Sequence, residues 1–307
     1  MLVTRRFRSY NAITFSIPET QGVKAAMANV YYVDGKFVPD SEAVFPINDL
    51  GLLRGYGCFD FMRTYNGKVI FIKDHVQRLC RSARQIGIDL PLSETELIHL
   101  VEETLKRNPP VESNVRILVT GGSSPDFITP QGRPRIAIMV ASLSQYPAAW
   151  YAEGAKVITV PHTRTIPGAK SIDYIRAIMV LAEARQKGAI EAVYVDPEGW
   201  VREGTTCNIF AVVAGRLVTP GTGILHGVTR QKVLGVAEGS CAIDIRDIQR
   251  SELVAAEEVF ITSSNRLIVP IVRVDEDVIG AGKPGDRTRA IMQAFTLYTH
   301  RLSAAAA

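Results

Sequence analysis

The sequence predicts a two-domain protein in which an α+β domain is followed by an α/β domain. Three observations predict this fold class. The chain has 307 residues, about the length of two domains. In the first half, turn dipeptides join apolar runs as in antiparallel hairpins, and helical patterns follow. In the second half, short β-rich runs alternate with helical patterns.

The composition is that of an ordinary globular protein. The formal net charge is +4, and this small, dispersed positive charge argues against nucleic-acid binding. The longest apolar runs are too short to cross a membrane. Cys58, Cys80, Cys207 and Cys241 stand far apart, and the histidines lack metal-ligand spacing. We therefore expect a cytoplasmic protein with free thiols, no metal site and no membrane segment.

Residues 1–26 are predicted to be a poorly ordered N-terminal extension. They contain three arginines, one acidic residue and no continuous apolar segment of the secretory type. The hydrophobic pattern begins just after Met27. We therefore assign residues 27–143 to the N-terminal α+β domain.

Hairpins open this domain. Asp34-Gly35 and Asn66-Gly67 each separate two apolar runs, and both dipeptides tolerate the positive φ of a tight hairpin turn. Two helices are then predicted. Asp74 is the expected N-cap of the first, and Ser93 with Glu96 forms a capping box ahead of the second.

Two further strands, at residues 115–119 and 136–140, complete the N-terminal domain. They flank a loop at 121–130 that is rich in turn residues and is a candidate lid. Residues 144–150 lack periodicity and contain a proline, so they are the predicted interdomain linker. Residues 151–307 then form the C-terminal domain.

The C-terminal domain begins with a predicted strand at 156–160 and a helix at 171–187. The apolar face of that helix includes Ile175, Ile178 and Met179. Short strands are predicted at 192–195, 200–201, 209–213, 216–219, 259–262 and 268–272, with a helix at about 229–238.

Two polar motifs are candidates for the chemistry, because no glycine-rich dinucleotide or ATP-binding loop is present. Lys170 follows a Pro-Gly turn directly before a predicted helix, with Tyr174 one turn further on the same face. Glu203 lies in Val-Arg-Glu-Gly-Thr-Thr-Cys-Asn, where one carboxylate is followed by hydroxyl and amide donors. Taken singly, a surface lysine and a surface turn are the commoner interpretations of such residues.

Together the two motifs resemble the class IV aminotransferases of fold type IV, which include branched-chain and D-amino-acid aminotransferases and aminodeoxychorismate lyases. The resemblance runs from about Asn29 to Leu302. Its other landmarks are the segments Arg54–Asp60, His75–Leu79, Ile224–Arg230 and Val259–Ser264. The resemblance implies a two-domain enzyme that holds pyridoxal 5′-phosphate between its domains. It also implies a homodimer in which the partner subunit helps to close the site.

The resemblance assigns a role to each candidate residue. Lys170 would bind the cofactor as a Schiff base and then move the proton as general acid and base. Glu203 would face the pyridine nitrogen, Arg78 would grip the phosphate and Tyr174 would hydrogen-bond the 3′-oxygen. Further cofactor contacts are implied for Asn208, Gly227, Val228, Thr229, Ser263 and Ser264.

The substrate side departs from both family templates. Asn114-Val-Arg116 keeps the arginine but lacks the tyrosine of branched-chain enzymes. Gly121 stands where D-amino-acid enzymes carry the arginine that binds the substrate carboxylate. Arg54 is an additional cation that either pairs with Asp60 or binds the incoming carboxylate. The candidate substrate contacts are Arg54, Phe59, Arg116, Gly121 and Asn265.

We therefore expect a transaminase that moves an amino group between an α-amino acid, branched-chain-like or D-configured, and a 2-oxo acid such as 2-oxoglutarate. One alternative is a lyase of the same fold acting on an aminated chorismate, although Tyr174 favours a transaminase. The other is a cofactor-free aldolase that uses Lys170 in a Schiff base. That second alternative leaves Arg78 and Glu203 without a role.

Overall fold

The computed structural model of the chain describes residues 29–305, so the predicted extension at 1–26 lies outside the described residues. Two sheets dominate this part of the chain. The strands of the first sheet are β1 (Val30–Val33), β2 (Lys36–Pro39), β3 (Gly57–Arg63), β4 (Ser113–Thr120) and β5 (Arg135–Ser142). The strands of the second are β6 (Ala155–Pro161), β7 (Glu191–Val195), β8 (Trp200–Gly204), β9 (Asn208–Val213), β10 (Arg216–Thr219), β11 (Ile243–Ile245), β12 (Ile248–Gln249), β13 (Glu258–Ser263), β14 (Leu267–Val274) and β15 (Asp277–Val278).

The helices surround these sheets. They are α1 (Leu50–Arg54), α2 (Ile72–Gln85), α3 (Glu94–Lys106), α4 (Ala149–Ala152), α5 (Ile175–Gln186), α6 (Val228–Ala237), α7 (Arg250–Val254) and α8 (Asp286–Ala305), with a 3-10 turn at Asp40–Glu42. The sequence patterns did not predict α8. No helix within residues 29–305 is long and apolar enough to cross a membrane.

The first sheet is antiparallel, in the order β2-β1-β5-β4-β3. Helices α2 and α3 bury their apolar faces against it, through residues such as Leu79 and Leu97. The predicted turn at Asp34-Gly35 is present with positive φ at both residues. The first hairpin and the two helices of this unit are therefore present as the pattern predicted.

Two local predictions in this unit need correction. Asn66 and Gly67 do adopt positive φ, but their hairpin is reduced to a single bridge, because helix α2 begins at Ile72. Asp74 consequently lies in the first turn of α2 and is not the N-cap. Its carboxylate still lies near the positive end of the helix dipole, where it pairs with Lys232 at 2.7 Å. The predicted capping box of α3 is confirmed.

The second sheet has the order β11-β10-β9-β13-β14-β6-β7-β8-β12, with β15 beside β14. Parallel pairs join β6 to β7 and to β14. The central strands β9 and β13 are buried almost throughout, and Phe210 and Phe260 stack at 4.8 Å between ring centroids. Such strands carry nearly continuous apolar runs because both faces are covered.

Helix α5 differs most from its prediction. It begins at Ile175, because residues 170–172 are held in extended form against β3. Its buried residues are Ala177, Val180 and Ala184. The face predicted to be buried is exposed, with exposed fractions of 73% for Ile175, 66% for Ile178 and 60% for Met179.

Residues 143–154 carry the chain from the first sheet to the second and include α4. This change of sheet supports a boundary at the predicted linker 144–150, and we retain residues 27–143 and 151–307 as the proposed domains. An antiparallel sheet with helices, followed by a mixed sheet with helices, agrees with the predicted fold class.

Candidate active site

The candidate site is a cavity of about 1640 Å³ lined by residues of both sheets. All predicted site residues except Gly121 line it, namely Arg54, Phe59, Arg78, Arg116, Lys170, Tyr174, Glu203, Asn208, Gly227, Val228, Thr229, Ser263, Ser264 and Asn265. Gly121 instead packs beside the ring of Tyr56, where a Cβ would lie 2.3 Å from Cδ1. Its predicted substrate contact stays a prediction.

Backbone contacts fix the position of Lys170. The Phe59 N–H donates to the Lys170 carbonyl at 2.9 Å, and the Ile172 N–H donates to the Gly57 carbonyl at 3.1 Å. The Lys170 N–H donates to Ser82 Oγ at 3.0 Å. Lys170 therefore precedes α5 instead of lying on its first turn, and β3 and α2 of the other sheet unit hold it in place.

The environment of the Lys170 amine favours its uncharged, basic form. Its Nζ lies 4.7 Å from the centroid of the Phe59 ring, in a partly buried position. Burial and the positive charge of Arg78 lower the pKa of Lys170 to about 7. A substantial fraction of the amine is therefore uncharged at neutral pH, unlike an ordinary lysine.

Glu203 is a buried carboxylate on β8. Its Oε1 accepts from Arg164 Nη1 at 2.9 Å, and its Oε2 accepts from the Leu225 N–H at 3.0 Å. Burial raises the pKa of Glu203, although Arg164 and the Leu225 N–H oppose that rise. A further positive charge in the cavity would favour the ionised carboxylate.

Arg164 was missed by the sequence reasoning. Besides Glu203, it donates to the carbonyls of Pro167 and Ala169, so its guanidinium joins the Lys170 turn to β8. A lone arginine in a loop has no sequence signature. The sequence indicates Arg164 only through its position, six residues before the candidate lysine.

The N-terminus of α6 forms an anion cradle. The first N–H groups of a helix have no acceptor within the helix and are often satisfied by a side chain at the N-cap position. In α6 this position is Gly227, which provides no side-chain cap. A Cβ on Gly227 would lie 2.0 Å from Asn208 Oδ1, so this close approach requires glycine. Asn208 in turn donates to the Leu225 carbonyl at 2.8 Å.

Arg78 reaches the cavity from α2. Both carboxylate oxygens of the fully buried Asp60 accept from its guanidinium, from Nε and Nη2 at 2.8 Å each. Pairing between Arg54 and Asp60, one of the two expectations for Arg54, is therefore wrong. Arg54 is exposed at the end of α1 and donates to the Leu53 carbonyl.

The turn between β13 and β14 forms another wall. Ser263 Oγ donates to Asn265 Oδ1 at 3.0 Å, and the Asn265 amide donates to the Tyr146 hydroxyl. Ser264 lines the cavity between them. Thr262 also lines it, and its buried Oγ1 lacks a hydrogen-bond partner among the described residues.

A buried ion pair supports this turn from behind. Arg266 Nη2 donates to Glu191 Oε2 at 2.6 Å and to Thr206 Oγ1 at 2.6 Å. Glu191 also accepts from the hydroxyls of Thr205 and Thr206. The pair thereby ties the β8–β9 loop to the β13–β14 turn.

The substrate side has an aromatic wall and cations. The rings of Phe59 and Tyr174 meet edge to face at 5.5 Å, and the Arg116 guanidinium lies 5.0 Å from the Phe59 centroid. Burial raises the pKa of Tyr174 to about 12, so its hydroxyl remains a hydrogen-bond donor at neutral pH.

These groups fit pyridoxal phosphate. The α6 cradle and Arg78 suit a phosphate, and the Lys170 amine suits an aldehyde. The buried Glu203 suits a ring nitrogen that carries a proton. Within residues 29–305, the Thr262 hydroxyl has no hydrogen-bond partner and the N-terminus of α6 has no side-chain cap, so these donors are available to a ligand in the cavity.

Comparisons with known proteins agree with this arrangement. Residues 57–274 match the family of class IV amino-transferases. A putative branched-chain-amino-acid aminotransferase of Methanocaldococcus jannaschii is 34% identical over 274 residues, covering 86% of this chain and 94% of the relative. A D-alanine aminotransferase of Bacillus licheniformis is 31% identical over 272 residues, covering 85% and 94%.

Solved structures give the same result. The branched-chain aminotransferase of Thermoproteus uzoniensis, solved with norvaline, superposes with a TM-score of 0.81 at 30% identity, covering 89% of this chain and 95% of that one. The predicted resemblance and fold class are confirmed. The chain belongs to the class IV aminotransferases, which are fold type IV enzymes that use pyridoxal phosphate.

Proposed function

We propose that this aminotransferase moves the amino group of a neutral amino acid, branched-chain or D-configured, to a 2-oxo acid such as 2-oxoglutarate. The observation that carries the proposal is the Lys170 amine, whose pKa is lowered to about 7, in a cavity with Glu203 and the α6 cradle. The relatives named for branched-chain amino acids and for D-alanine support these two substrate classes.

Pyridoxal phosphate supplies, when bound, an electron-accepting ring that makes the Cα proton of the amino acid labile. Lys170 would take that proton at Nζ and return it on the cofactor side, since its amine is partly uncharged at neutral pH. Tyr174, with its hydroxyl protonated, would donate a hydrogen bond to the cofactor oxygen beside the lysine.

Glu203 would hold the proton on the ring nitrogen. Its carboxylate is buried, and its two oxygens are oriented by Arg164 and the Leu225 N–H. We propose Arg164 as an additional positioning residue, because its guanidinium connects Glu203 to the turn that carries Lys170.

The phosphate would be held by donors from both sheet units. The N–H groups of Val228 and Thr229 begin α6, and Arg78 comes from α2. Ser264 would add its hydroxyl from the β13–β14 turn. Asn208 and Ser263 would act chiefly by shaping these loops, through the Leu225 and Asn265 contacts respectively.

The substrate carboxylate would meet a cation at the cavity mouth. Arg54 is exposed and lines the cavity, and within residues 29–305 it has no carboxylate in ion-pair range. Arg116 also lines it, with its guanidinium 5.0 Å from the centroid of the Phe59 ring. We propose Arg54 as the carboxylate contact, with Phe59 and Asn265 bordering the substrate side chain.

A second copy of the chain would complete the site. The exposed apolar side chains Leu52, Ile175 and Ile178 line the cavity, which is an unusual place for solvated hydrophobic surface. We therefore propose a homodimer that covers this surface. The four cysteines are free, which supports the predicted cytoplasmic location.

The alternatives receive no support from the comparisons, since the matched family and the relatives are aminotransferases. A cofactor-free aldolase would leave the α6 cradle and Arg78 without a ligand. A lyase of the same fold would share the cofactor site, so the reaction products distinguish it.

The test is a substrate screen on the purified protein. We expect a yellow protein that loses its visible absorbance on borohydride treatment. Paired L- and D-amino acids are then assayed with 2-oxoglutarate and with pyruvate, with amino acid product measured by chromatography. A colourless protein, or a yellow protein that forms no amino acid with any pair, would refute the proposed function.

A further inference from the structure

The partners of Arg78 form a buried cluster of three side chains. Asp60 on β3 accepts from Arg78 Nε and Nη2 at 2.8 Å each, and Asp60 Oδ1 lies 2.7 Å from His75 Nδ1. Their exposed fractions are 0% for Asp60, 3% for His75 and 5% for Arg78. From the sequence, Asp60 was considered only as a partner of Arg54, and His75 had no assigned role.

The charges of this cluster determine which atoms donate. Burial raises the pKa of Asp60, but Arg78 and His75 together hold it well below its usual range, so Asp60 is ionised. An ionised carboxylate can only accept, and therefore His75 carries its hydrogen on Nδ1. Burial lowers the pKa of His75, which favours the neutral imidazole.

The geometry leaves one nitrogen of Arg78 for a ligand. A guanidinium is planar and rigid, so two bonds along its Nε and Nη2 edge fix the direction of Nη1. Within residues 29–305 no protein group accepts from Nη1, and Arg78 lines the cavity. A long side chain without such a partner would move among several rotamers.

We propose that Asp60 is a positioning residue for cofactor binding, which holds Arg78 so that Nη1 points to the phosphate, and that His75 orients Asp60 in turn. This inference rests on the proposed phosphate contact of Arg78. Asp60 does not line the cavity, so it reaches the phosphate site through Arg78, while its negative charge opposes the lowering of the Lys170 pKa.

A purely structural ion pair between β3 and α2 would behave differently. Its loss would lower the melting temperature and leave the cofactor affinity of the folded protein unchanged, with or without Arg78. A positioning residue has a conditional effect, because it has nothing to position once Arg78 is removed. A double-mutant cycle separates the two roles.

The variants are Asp60→Asn, Arg78→Ala and the double variant. The readout is the dissociation constant of pyridoxal phosphate from the holoenzyme, measured by protein fluorescence, together with the melting temperature. We expect Asp60→Asn to raise the dissociation constant about tenfold in the native background and to have little effect in the Arg78→Ala background. Equal effects in both backgrounds, or no effect in either, would overturn the proposal.

Two further variants keep the test decisive. His75→Phe removes the bond to Asp60 with little change in volume, and we expect a smaller rise, about threefold, that also disappears with Arg78→Ala. Asp49→Asn is the matched control, because Asp49 is equally buried and accepts from the Gly51 N–H and the Thr120 hydroxyl. It should lower the melting temperature without changing cofactor affinity.

The outcomes also separate this inference from the proposed function. A native protein that binds no pyridoxal phosphate would refute the proposed function. A native protein that binds the cofactor, with an Asp60→Asn variant of unchanged affinity, would refute only the role of Asp60.

Discussion

At the scale of single residues, the environment of Lys170 decides its chemistry. Burial and the charge of Arg78 lower its pKa from the ordinary value of 10.5 to about 7. When the pKa of an amine is lowered, the uncharged fraction of the amine becomes large at a lower pH. The lysine can thus serve as nucleophile and base without a strongly alkaline medium.

The first prediction concerns this pH dependence. The rate at which pyridoxal phosphate attaches to the cofactor-free protein should rise with pH through about 7 and level off above it, since only the neutral amine reacts. Stopped-flow absorbance at a series of pH values measures it. Lys170→Ala is the control and should show no attachment and no transamination. A midpoint near pH 10 would show that the pKa of Lys170 is not lowered.

The second prediction concerns Arg54. Arg54→Leu should raise the KM for the 2-oxo acid about ten- to a hundredfold while the melting temperature stays unchanged, because one charge-assisted contact with substrate is lost from an exposed side chain. Steady-state kinetics and thermal unfolding measure the two effects. Arg84→Leu, which removes an exposed cation outside the cavity, should change neither. An unaltered KM for Arg54→Leu contradicts the proposed contact.

At the scale of elements, the N-terminus of α6 is closely approached by the side chain of Asn208. Gly227 faces Asn208 so closely that a methyl group would lie 2.0 Å from Oδ1. The same helix contains Gly235, around which nothing lies within 4 Å of an added Cβ. The two glycines therefore have opposite tolerance for substitution.

The third prediction uses this pair. Gly227→Ala should destabilise the protein by about 1 to 3 kcal/mol and weaken cofactor binding, because Asn208 must move away from the cradle. Gly235→Ala should stabilise it by about 1 kcal/mol without affecting the cofactor, since alanine is the better helix former. Urea unfolding and cofactor titration measure both. Equal behaviour of the two variants would argue against a crowded cradle.

Helix α5 shows why an amphipathic pattern needs a tertiary context. Its sequence predicts a buried face with Ile175, Ile178 and Met179, but the sheet receives the small residues Ala177, Val180 and Ala184. Small residues allow the helix to approach the strands closely. The larger apolar residues remain exposed, and two of them, Ile175 and Ile178, line the cavity.

At the scale of the whole molecule, this exposed surface and the cavity belong together. The two sheet units meet at the cavity, and Lys170 is bound to strand β3 across their junction by backbone hydrogen bonds. The open side of the same cavity carries the apolar residues of α5. The proposed homodimer would both cover these residues and close the site.

The fourth prediction tests this assembly. Ile178→Glu should convert a dimer to a monomer and reduce activity, because a charge placed in an apolar interface must be desolvated without a partner. Light scattering coupled to size exclusion measures the molar mass. Val111→Glu is the control, since Val111 is a comparably exposed apolar residue outside the cavity lining. A native protein of monomeric mass would contradict the proposal.

The sequence by itself determined the features that depend on local chemistry. The turn at Asp34-Gly35 and the capping box at Ser93 and Glu96 are set by neighbouring residues, and both are present as predicted. The motifs around Lys170 and Glu203, together with the other landmarks in their order along the chain, were sufficient to predict the family by resemblance, and the family match confirms that prediction.

Only the tertiary structure decided the contacts that hold these residues in place. Arg164 reaches Glu203 across 39 positions of sequence, and Asp60 engages Arg78 across 18. The exposed face of α5 and the lowered pKa of Lys170 likewise depend on which residues lie around them. Long-range packing sets burial and charge proximity, and a local sequence pattern carries no information about residues that meet only after the chain has folded.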